Sequence, residues 1–344
     1  MKNKEITQRK TKILATLGPS SNTIKKIIEL SKAGANAFRL NCSHLDEKSL
    51  KDYVKKIRRA EELLNKPIGI LVDLQGPKIR IGKVKNGENL LKKGSPFLLD
   101  LKEDIGDHKR VKLPHKKIFS SVKKGHLILL DDGKIHLKIT SVKVNEIRTK
   151  VLQGGYLKSN KGVNLPQTNI KTSALSNLDK KFAIMAVQEG VDWIALSFVQ
   201  KPNDIRELRK ICSNKASIMA KIEKPSALDY IDQITNFADG IMIARGDLGV
   251  ELPIESVPGW QKKIIRVARA KGKPVVVSTQ MLESMTSSLT PTRAEVSDVA
   301  NAVFEGADAI MLSAESASGD YPVETVKMMN KIAINIEKDS NYND

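Results

Sequence analysis

Short apolar runs that end in charged or hydroxyl residues recur along this chain, and most are followed by a stretch with helical spacing. Residues 12–17 are the first such run, closed by Gly18-Pro19. Ser21, Asn22 and Thr23 supply cap residues for a helix over 24–32, where Ile24, Ile27, Ile28 and Leu30 recur at helical spacing, and Gly34 ends it. In 37–44, Arg39, Asn41 and Ser43 alternate with Leu40 and Cys42, which places three polar residues on one face of an otherwise apolar strand. A helix is predicted over 47–64 and a third strand over 67–73, ending in Asp73.

After Gly76-Pro77 the period changes. Ile135, Leu137 and Ile139 alternate with Lys134, His136 and Lys138; Val142 and Val144 continue the pattern, as do Ile147, Thr149 and Val151. This predicts an antiparallel β domain with one wet face, inserted over 77–171 into a domain made of 1–76 and 172–344. From Leu178 the strand–helix alternation resumes. Strands are predicted at 193–198, 217–224, 241–244, 273–279 and 309–313, and helices at 202–211, 259–270, 291–304 and 322–337. Ala238-Asp-Gly-Ile-Met-Ile is echoed by Ala307-Asp-Ala-Ile-Met-Leu, and more loosely by Gly190-Val-Asp-Trp-Ile-Ala-Leu. A repeated βα unit with eight strands predicts an α/β fold, a (β/α)8 TIM barrel carrying a small β-barrel-like insert after strand three.

The functional residues of such barrels lie at the C-terminal strand ends. Arg39, Asn41, Ser43, Asp73, Ser197, Phe198, Lys221, Glu223, Asp247 and Thr279 all fall there. Lys221 and Glu223 share a strand face, and the neighbouring strand runs into Arg245-Gly246-Asp247. Two carboxylates and an ammonium at adjacent strand ends suit a divalent cation and a phosphoryl group. A surface salt-bridge cluster is the alternative, and the recurrence of the pattern around the barrel weakens it. Residues 245–249 offer a turn with exposed N–H groups, and that turn, or the helix start after it, can bind a carboxylate or phosphate. His44 either touches phosphate or is a plain loop histidine.

Composition narrows the partners. No apolar run in the 344 residues reaches the length of a membrane span, and residues 1–12 have no signal-peptide core. Cys42 and Cys212 have neither metal nor redox spacing, so a cytoplasmic setting is expected. The net charge is +19, and residues 77–171 hold 22 Lys+Arg against 8 Asp+Glu, which is +14 of it. That excess suits a polyanion such as a nucleotide. Nucleic acid is not expected, because the lysines are scattered and stacking rings are few. Neither a P-loop nor a Gly-x-Gly-x-x-Gly fingerprint is present.

Arg39-x-Asn41-x-Ser43-His44, Met219-Ala-Lys221-Ile-Glu223, Ile243-Ala-Arg245-Gly-Asp247-Leu-Gly249 and Ser278-Thr279-Gln-Met-Leu-Glu-Ser-Met285 together resemble the pyruvate kinase family. So do Pro291-Thr-Arg-Ala-Glu295, Lys161-Gly-Val-Asn-Leu-Pro166 and Gly319-Asp-Tyr-Pro322. The resemblance runs from about residue 10 to 336 and keeps the family order. It implies transfer of phosphate from phosphoenolpyruvate to ADP, giving pyruvate and ATP, under a mobile lid. Glu223 and Asp247 then resemble the ligands of Mg²⁺ (or Mn²⁺), Lys221 the lysine facing the transferring phosphoryl group, and Arg39 the phosphate-binding arginine. Thr279 resembles the threonine beside the enolate methylene. Arg245, Gly246 and Asp247, with Ser197 and Phe198, resemble the substrate side; Arg80, His44, Lys161 and Asn41 resemble the nucleotide side.

Several departures from the family set further expectations. Asn41, Ser43 and Asp73 resemble a monovalent-cation shell, but Leu74 replaces its threonine and Lys78 a glutamate. Lys78 is therefore expected to occupy that shell, so that K⁺ is not required. Leu45 stands where a glycine is common after His44, and Ser49 where an aromatic often meets adenine. Family members continue beyond residue 344 into a C-terminal domain, so their usual allosteric control and tetramer are not expected here. An oligomer through barrel contacts stays open. A non-catalytic sensor or partner protein that binds phosphoenolpyruvate or nucleotide is the alternative function.

Overall fold

The computed structural model describes residues 9–168, 173–339 and 342. Residues 1–8, most of the basic N-terminus, and the expected domain boundary at 171/172 lie outside the described residues. Eight parallel strands close into a barrel, in the order one, eight, seven, six, five, four, three, two. In chain order they are Lys12–Thr16, Ala37–Asn41, Gly69–Asp73, Trp193–Leu196, Ser217–Ile222, Gly240–Ala244, Val275–Ser278 and Ala309–Leu312. Helices return the chain on the outside, among them Ile24–Ala33, Glu47–Leu64, Asn177–Gln188, Pro202–Cys212, Val257–Ala270, Arg293–Phe304 and Pro322–Glu337. Thr23 caps the first of them through the N–H of Lys26, and Gly34, at φ 131°, ends it. No helix among the described residues is long and apolar enough to cross a membrane.

The period-2 pattern sorts the strands into two cores. One residue set, including Ile218, Ile241, Ile243 and Ile310, packs between sheet and helices. The alternate set, Leu14, Leu71, Ala195, Met219, Met242, Val276 and Met311, fills the barrel interior. The Ile-Met echo in the sequence is this division repeated, with isoleucine outward and the flexible methionine filling the centre.

Strands two, four, five and seven stop earlier than their hydrophobic pattern predicts. Asn41 ends strand two because its Oδ1 accepts the N–H of Ser43 at 3.1 Å and its carbonyl accepts that of His44 at 3.1 Å, which turns the chain. Ser43 therefore does not share a strand face with Arg39 and Asn41. Phe198 and Thr279 leave their strands at φ 56° and 71°, outside the β region. Residues 245–249 are not an open turn; they form the start of a short helix, Arg245–Glu251.

Eight strands lie between Glu88 and Asn164. Six make one sheet, and Glu88–Leu91 pairs with Gly155–Lys158 in a second; both contribute to one separate core, with Leu91, Leu137, Ile147 and Leu157. Pairing is antiparallel except between Pro96–Asp100 and Arg110–Lys112, which run parallel. Ile135, Leu137 and Ile139 face inward as their spacing predicts. Val144 does not. A bulge between Ile139 and Ser141 shifts the register, and Val144 falls in the turn to the next strand, 79% exposed.

Candidate active site

Following each strand one step further along its inward face leads from hydrocarbon to charge. Leu14 is followed inward by Thr16, Ala37 by Arg39, Leu71 by Asp73, Ala195 by Ser197 and Met219 by Lys221. The apolar plug thus ends in a polar layer at the C-terminal mouth, built by period-2 spacing alone.

That layer is one connected network. Lys221 Nζ donates to Asp73 Oδ1 at 3.0 Å and Oδ2 at 3.1 Å and to Ser197 Oγ at 2.7 Å, and it meets Glu223 Oε1 at 2.9 Å. Arg39 Nε donates to Asp73 Oδ2 at 2.7 Å, and its Nη1 to Thr16 Oγ1 at 3.2 Å. Asp73 and Glu223 are each 1% exposed and Lys221 8%. Burial works against the charge on Lys221, but Asp73 and Glu223 outweigh it and raise the ammonium's pKa. Burial likewise acts to raise the Asp73 carboxyl, yet Lys221 and Arg39 prevail and hold it below the ordinary aspartate range. The chemical result is a permanent cation fixed in a low-dielectric mouth, the arrangement that stabilises developing anionic charge.

Glu223 has the opposite balance. Burial first, and then the neighbouring charge of Asp247, push its carboxyl up against the pull of Lys221. Its Oε2 also accepts the Phe198 N–H at 2.9 Å. Phe198 is in the left-handed conformation, and its ring lies so close to Gly76 that a Cβ there would fall 2.6 Å from Cδ2. Gly76 itself has φ 70°, so the glycine is required twice. Two mutually repelling carboxylates fit a divalent cation, which would relieve the repulsion. No group of three or more His, Cys, Asp or Glu side chains that could hold a metal occurs among the described residues, so substrate oxygens and water would complete the coordination. Asp247 also lines a cavity of about 460 Å³ between barrel and insert, walled in part by Phe198, Lys224, Asn164, Lys78 and Trp260.

Thr279 sits across from the Arg245–Glu251 helix. Its Oγ1 accepts the Gly246 N–H at 2.8 Å and donates to the Ser278 carbonyl at 2.6 Å. The Arg245 side chain, expected on the substrate side, is committed within the protein: its two Nη atoms donate to Asp298 at 2.6 and 2.7 Å and to the Thr279 carbonyl at 2.6 Å. The pairing with a carboxylate fixes the guanidinium away from the cavity, leaving the Asp247 carboxylate and main-chain groups of 245–247 to face a ligand.

One more expectation needs correction. Lys78 does not enter the Asn41, Ser43 and Asp73 shell. The Asp73 oxygens are taken by Lys221 and Arg39, Asn41 Oδ1 by the Ser43 N–H, and Lys78 lies in the wall of the cavity, its Cε facing Gly162 of the insert. The residues assigned to the nucleotide side are not gathered at one place. Lys161 pairs with Asp131 at 2.7 Å, Arg80 donates to the Asn160 carbonyl at 3.1 Å and lines a different cavity on the insert, and His44 is exposed on the barrel loop after strand two.

Sequence reasoning missed other members of the site. Ser316 joins strand one to the segment after strand eight, accepting the Thr16 N–H and donating to its carbonyl, both at 2.9 Å, and so supports the hydroxyl that meets Arg39. Glu251 ties barrel to insert: its Oε1 accepts from Asn164 Nδ2 at 2.9 Å and from Lys224. Asn164 lies inside the Lys161–Pro166 motif and Glu251 two residues beyond the Ile243–Gly249 motif, but nothing local marks them as partners across 87 residues.

The family model for the pyruvate kinase barrel domain matches residues 8–326. A pyruvate kinase of Methylorubrum extorquens is 52% identical over 334 residues, covering 97% of this chain and 70% of that protein. One from Agrobacterium vitis is 48% identical over 335 residues, covering 97% and 71%. A Bacillus licheniformis pyruvate kinase is 44% identical over 340 residues, covering 97% of this chain and 58% of its own length. With a closed eightfold barrel, a buried lysine between acids at its mouth and these matches along nearly the whole chain, the protein belongs to the pyruvate kinase family.

Proposed function

We propose that the chain transfers the phosphoryl group of phosphoenolpyruvate to ADP, giving pyruvate and ATP. The observation that carries this reading is the Lys221 ammonium, buried against Asp73, Ser197 and Glu223 at the barrel mouth. Phosphoryl transfer asks a protein mainly for positioning and charge neutralisation. Lys221 stabilises charge on the transferring group, and Arg39, steadied by Asp73 and Thr16, binds phosphate oxygens. Glu223 and Asp247 hold Mg²⁺ or Mn²⁺, which when bound supplies a further positive charge for substrate oxygens. Main-chain N–H groups at the start of the Arg245–Glu251 helix, other than the Gly246 N–H that holds Thr279 Oγ1, take the substrate carboxylate, with Ser197 and Phe198 beside it. Thr279 stands at the methylene carbon that is protonated to give pyruvate. Arg80, His44, Lys161 and Asn41 serve the nucleotide once the insert closes. The test is an assay of pyruvate formation from phosphoenolpyruvate and ADP with Mg²⁺, coupled to lactate formation. Signal no higher than the protein-free blank overturns the reading.

The basic insert over 77–171 is a lid on the nucleotide. Its Asn164 meets the buried Glu251 of the barrel, and the cavity beside them opens to Asp247. Asn164→Ala removes the insert's side of that bond, worth ~1 kcal/mol, and is expected to change the KM for ADP up to about fivefold by releasing the insert from its position against the barrel. An unchanged KM for ADP would remove this support for the lid.

Potassium is not required, though for a different reason than first expected. Lys78 brings its ammonium to the wall of the Asp247 cavity rather than to the Asp73 shell, and Leu74, 1% exposed, offers no side-chain oxygen. Turnover is expected to be comparable in Na⁺-only and K⁺-containing buffers of matched ionic strength, and Lys78→Glu is expected to lower it. An enzyme silent without K⁺ contradicts this. The cytoplasm is the proposed location: both thiols are free and buried, and burial pushes Cys212 up to about 11, so neither is a ready disulfide partner.

A further inference from the structure

Thr279 and Gln280 are consecutive non-glycine residues in the left-handed region, at φ 71° and 54°. For β-branched Thr279 this is an outlier conformation that persists only where its surroundings enforce it. In that conformation both carbonyls face one guanidinium: Arg245 Nη2 donates to Thr279 O at 2.6 Å and to Gln280 O at 3.4 Å. The same guanidinium is held by Asp298, Nη1 to Oδ1 at 2.6 Å and Nη2 to Oδ2 at 2.7 Å. This parallel pair is the strongest common form of charge-assisted hydrogen bond, and the arginine is largely buried, its side chain 11% exposed. Asp298 projects from the Arg293–Phe304 helix, so a rigid element behind the barrel sets where the arginine stands.

The Thr279 hydroxyl is fixed by the same helix start. It accepts from the N–H of Gly246, the residue next to Arg245, and donates to Ser278 O. Backbone carbonyl and hydroxyl of Thr279 are thus held together, one by the side chain of residue 245 and the other by the main chain of residue 246. Loosening Arg245 would release the strained peptide and let the hydroxyl move. Asp298 touches neither cavity nor hydroxyl, so its influence passes through the arginine.

We propose that Asp298 is a positioning residue for the reaction: through Arg245 it holds Thr279 in the left-handed conformation that presents its hydroxyl to the reacting methylene carbon. This rests on the reading of Thr279 given above. A purely structural tie between helix and strand end would make the same bonds, and the two differ in what they do to the proton step.

The test uses the full chain with Asp298→Asn, which keeps shape but removes the charge. Two rates are followed: pyruvate formation from phosphoenolpyruvate and ADP, and exchange of the pyruvate methyl protons with D₂O by NMR. Both are expected to fall about 10- to 100-fold, the scale of a misplaced reacting group, with the KM for phosphoenolpyruvate little changed. In a Thr279→Ala background the same substitution should add almost nothing, because the two act as one unit. Arg245→Lys, which keeps the charge but cannot bridge Asp298 and two carbonyls, is expected to give the same split if Asp298→Asn folds poorly. Wild-type exchange in either variant, or a loss that adds fully to that of Thr279→Ala, overturns the proposal. Thr279→Ala alone reads out the underlying assignment: normal exchange there would refute the role of Thr279 and the clamp with it, whereas impaired exchange there with normal exchange in Asp298→Asn would refute the clamp alone.

Discussion

Lys221→Met is expected to lower turnover by about three orders of magnitude while phosphoenolpyruvate binding stays measurable. Among the described residues the ammonium is the one cation bonded to Asp73, Glu223 and Ser197 at the barrel mouth. Its pKa is raised, so it is charged throughout the working pH range. Removing one preorganised group aimed at developing charge costs ~10²–10³ in rate, and a full charge in a dry site stands at the upper end of that scale or beyond it. Methionine keeps length and packing, so the loss reports charge rather than a cavity. Glu223→Gln and Asp247→Asn are expected to cost turnover on the same scale, by weakening the hold on the divalent cation, and raising Mg²⁺ should recover part of the loss in those two but none in Lys221→Met. Steady-state kinetics across a metal titration separates the cases. Near-normal turnover in all three variants would show the assignment wrong.

Asp73→Asn is expected to be the most damaging single change to stability in the site. Asp73 receives Lys221 and Arg39 together, and removing its charge leaves two buried cations with, among the described residues, Glu223 as the one carboxylate bonded to either. Breaking a buried pair from one side costs about 3–5 kcal/mol, far more than the net worth of the intact pair. The midpoint of urea unfolding reads this directly, provided the slope is unchanged. The coupling is testable: Lys221→Met removes one of the two cations, so adding Asp73→Asn to it should cost less than in the wild type. The sign of the pH dependence follows from the lowered pKa of Asp73. A carboxyl depressed in the folded state contributes stability above its unfolded value of ~3.9 and loses it as pH falls through the lower folded value. The advantage of the wild type over Asp73→Asn should therefore be flat above about pH 5 and shrink only at more acid pH. An advantage that persists undiminished to pH 2, or variants of equal stability at neutral pH, would rule out this account.

The barrel was legible because its cause is local and repeated. Apolar runs with period 2, helices with cap residues at both ends and the Ile-Met echo each follow from a few neighbouring side chains, and eight repetitions leave one closed solution. The chemistry of the mouth was legible for the same reason. Arg39, Asp73, Ser197 and Lys221 each stand two residues beyond an apolar inward residue, so strand spacing alone places them on one layer. Strand ends were less legible: Asn41 turns the chain with its own side chain, and Phe198 and Thr279 leave the β region under constraints that come from Glu223, Gly76 and Arg245.

By itself, then, the sequence determined the barrel, the position of the insert and which residue types crowd the C-terminal mouth, since propensity and periodicity act over a few residues. Only the tertiary structure decided which charges meet. Lys78 follows Asp73 by five positions and Lys221 by 148, yet strand register delivers Lys221 to that carboxylate and the chain's departure into the insert carries Lys78 away. Arg245 reads as a ligand-binding arginine until Asp298, 53 residues later, captures it. Asn164 finds Glu251 across 87 residues. A charged group's function depends on the partner that claims it first, and a buried pair forms wherever the closed barrel brings two opposite charges within about 3 Å, a distance no local pattern encodes.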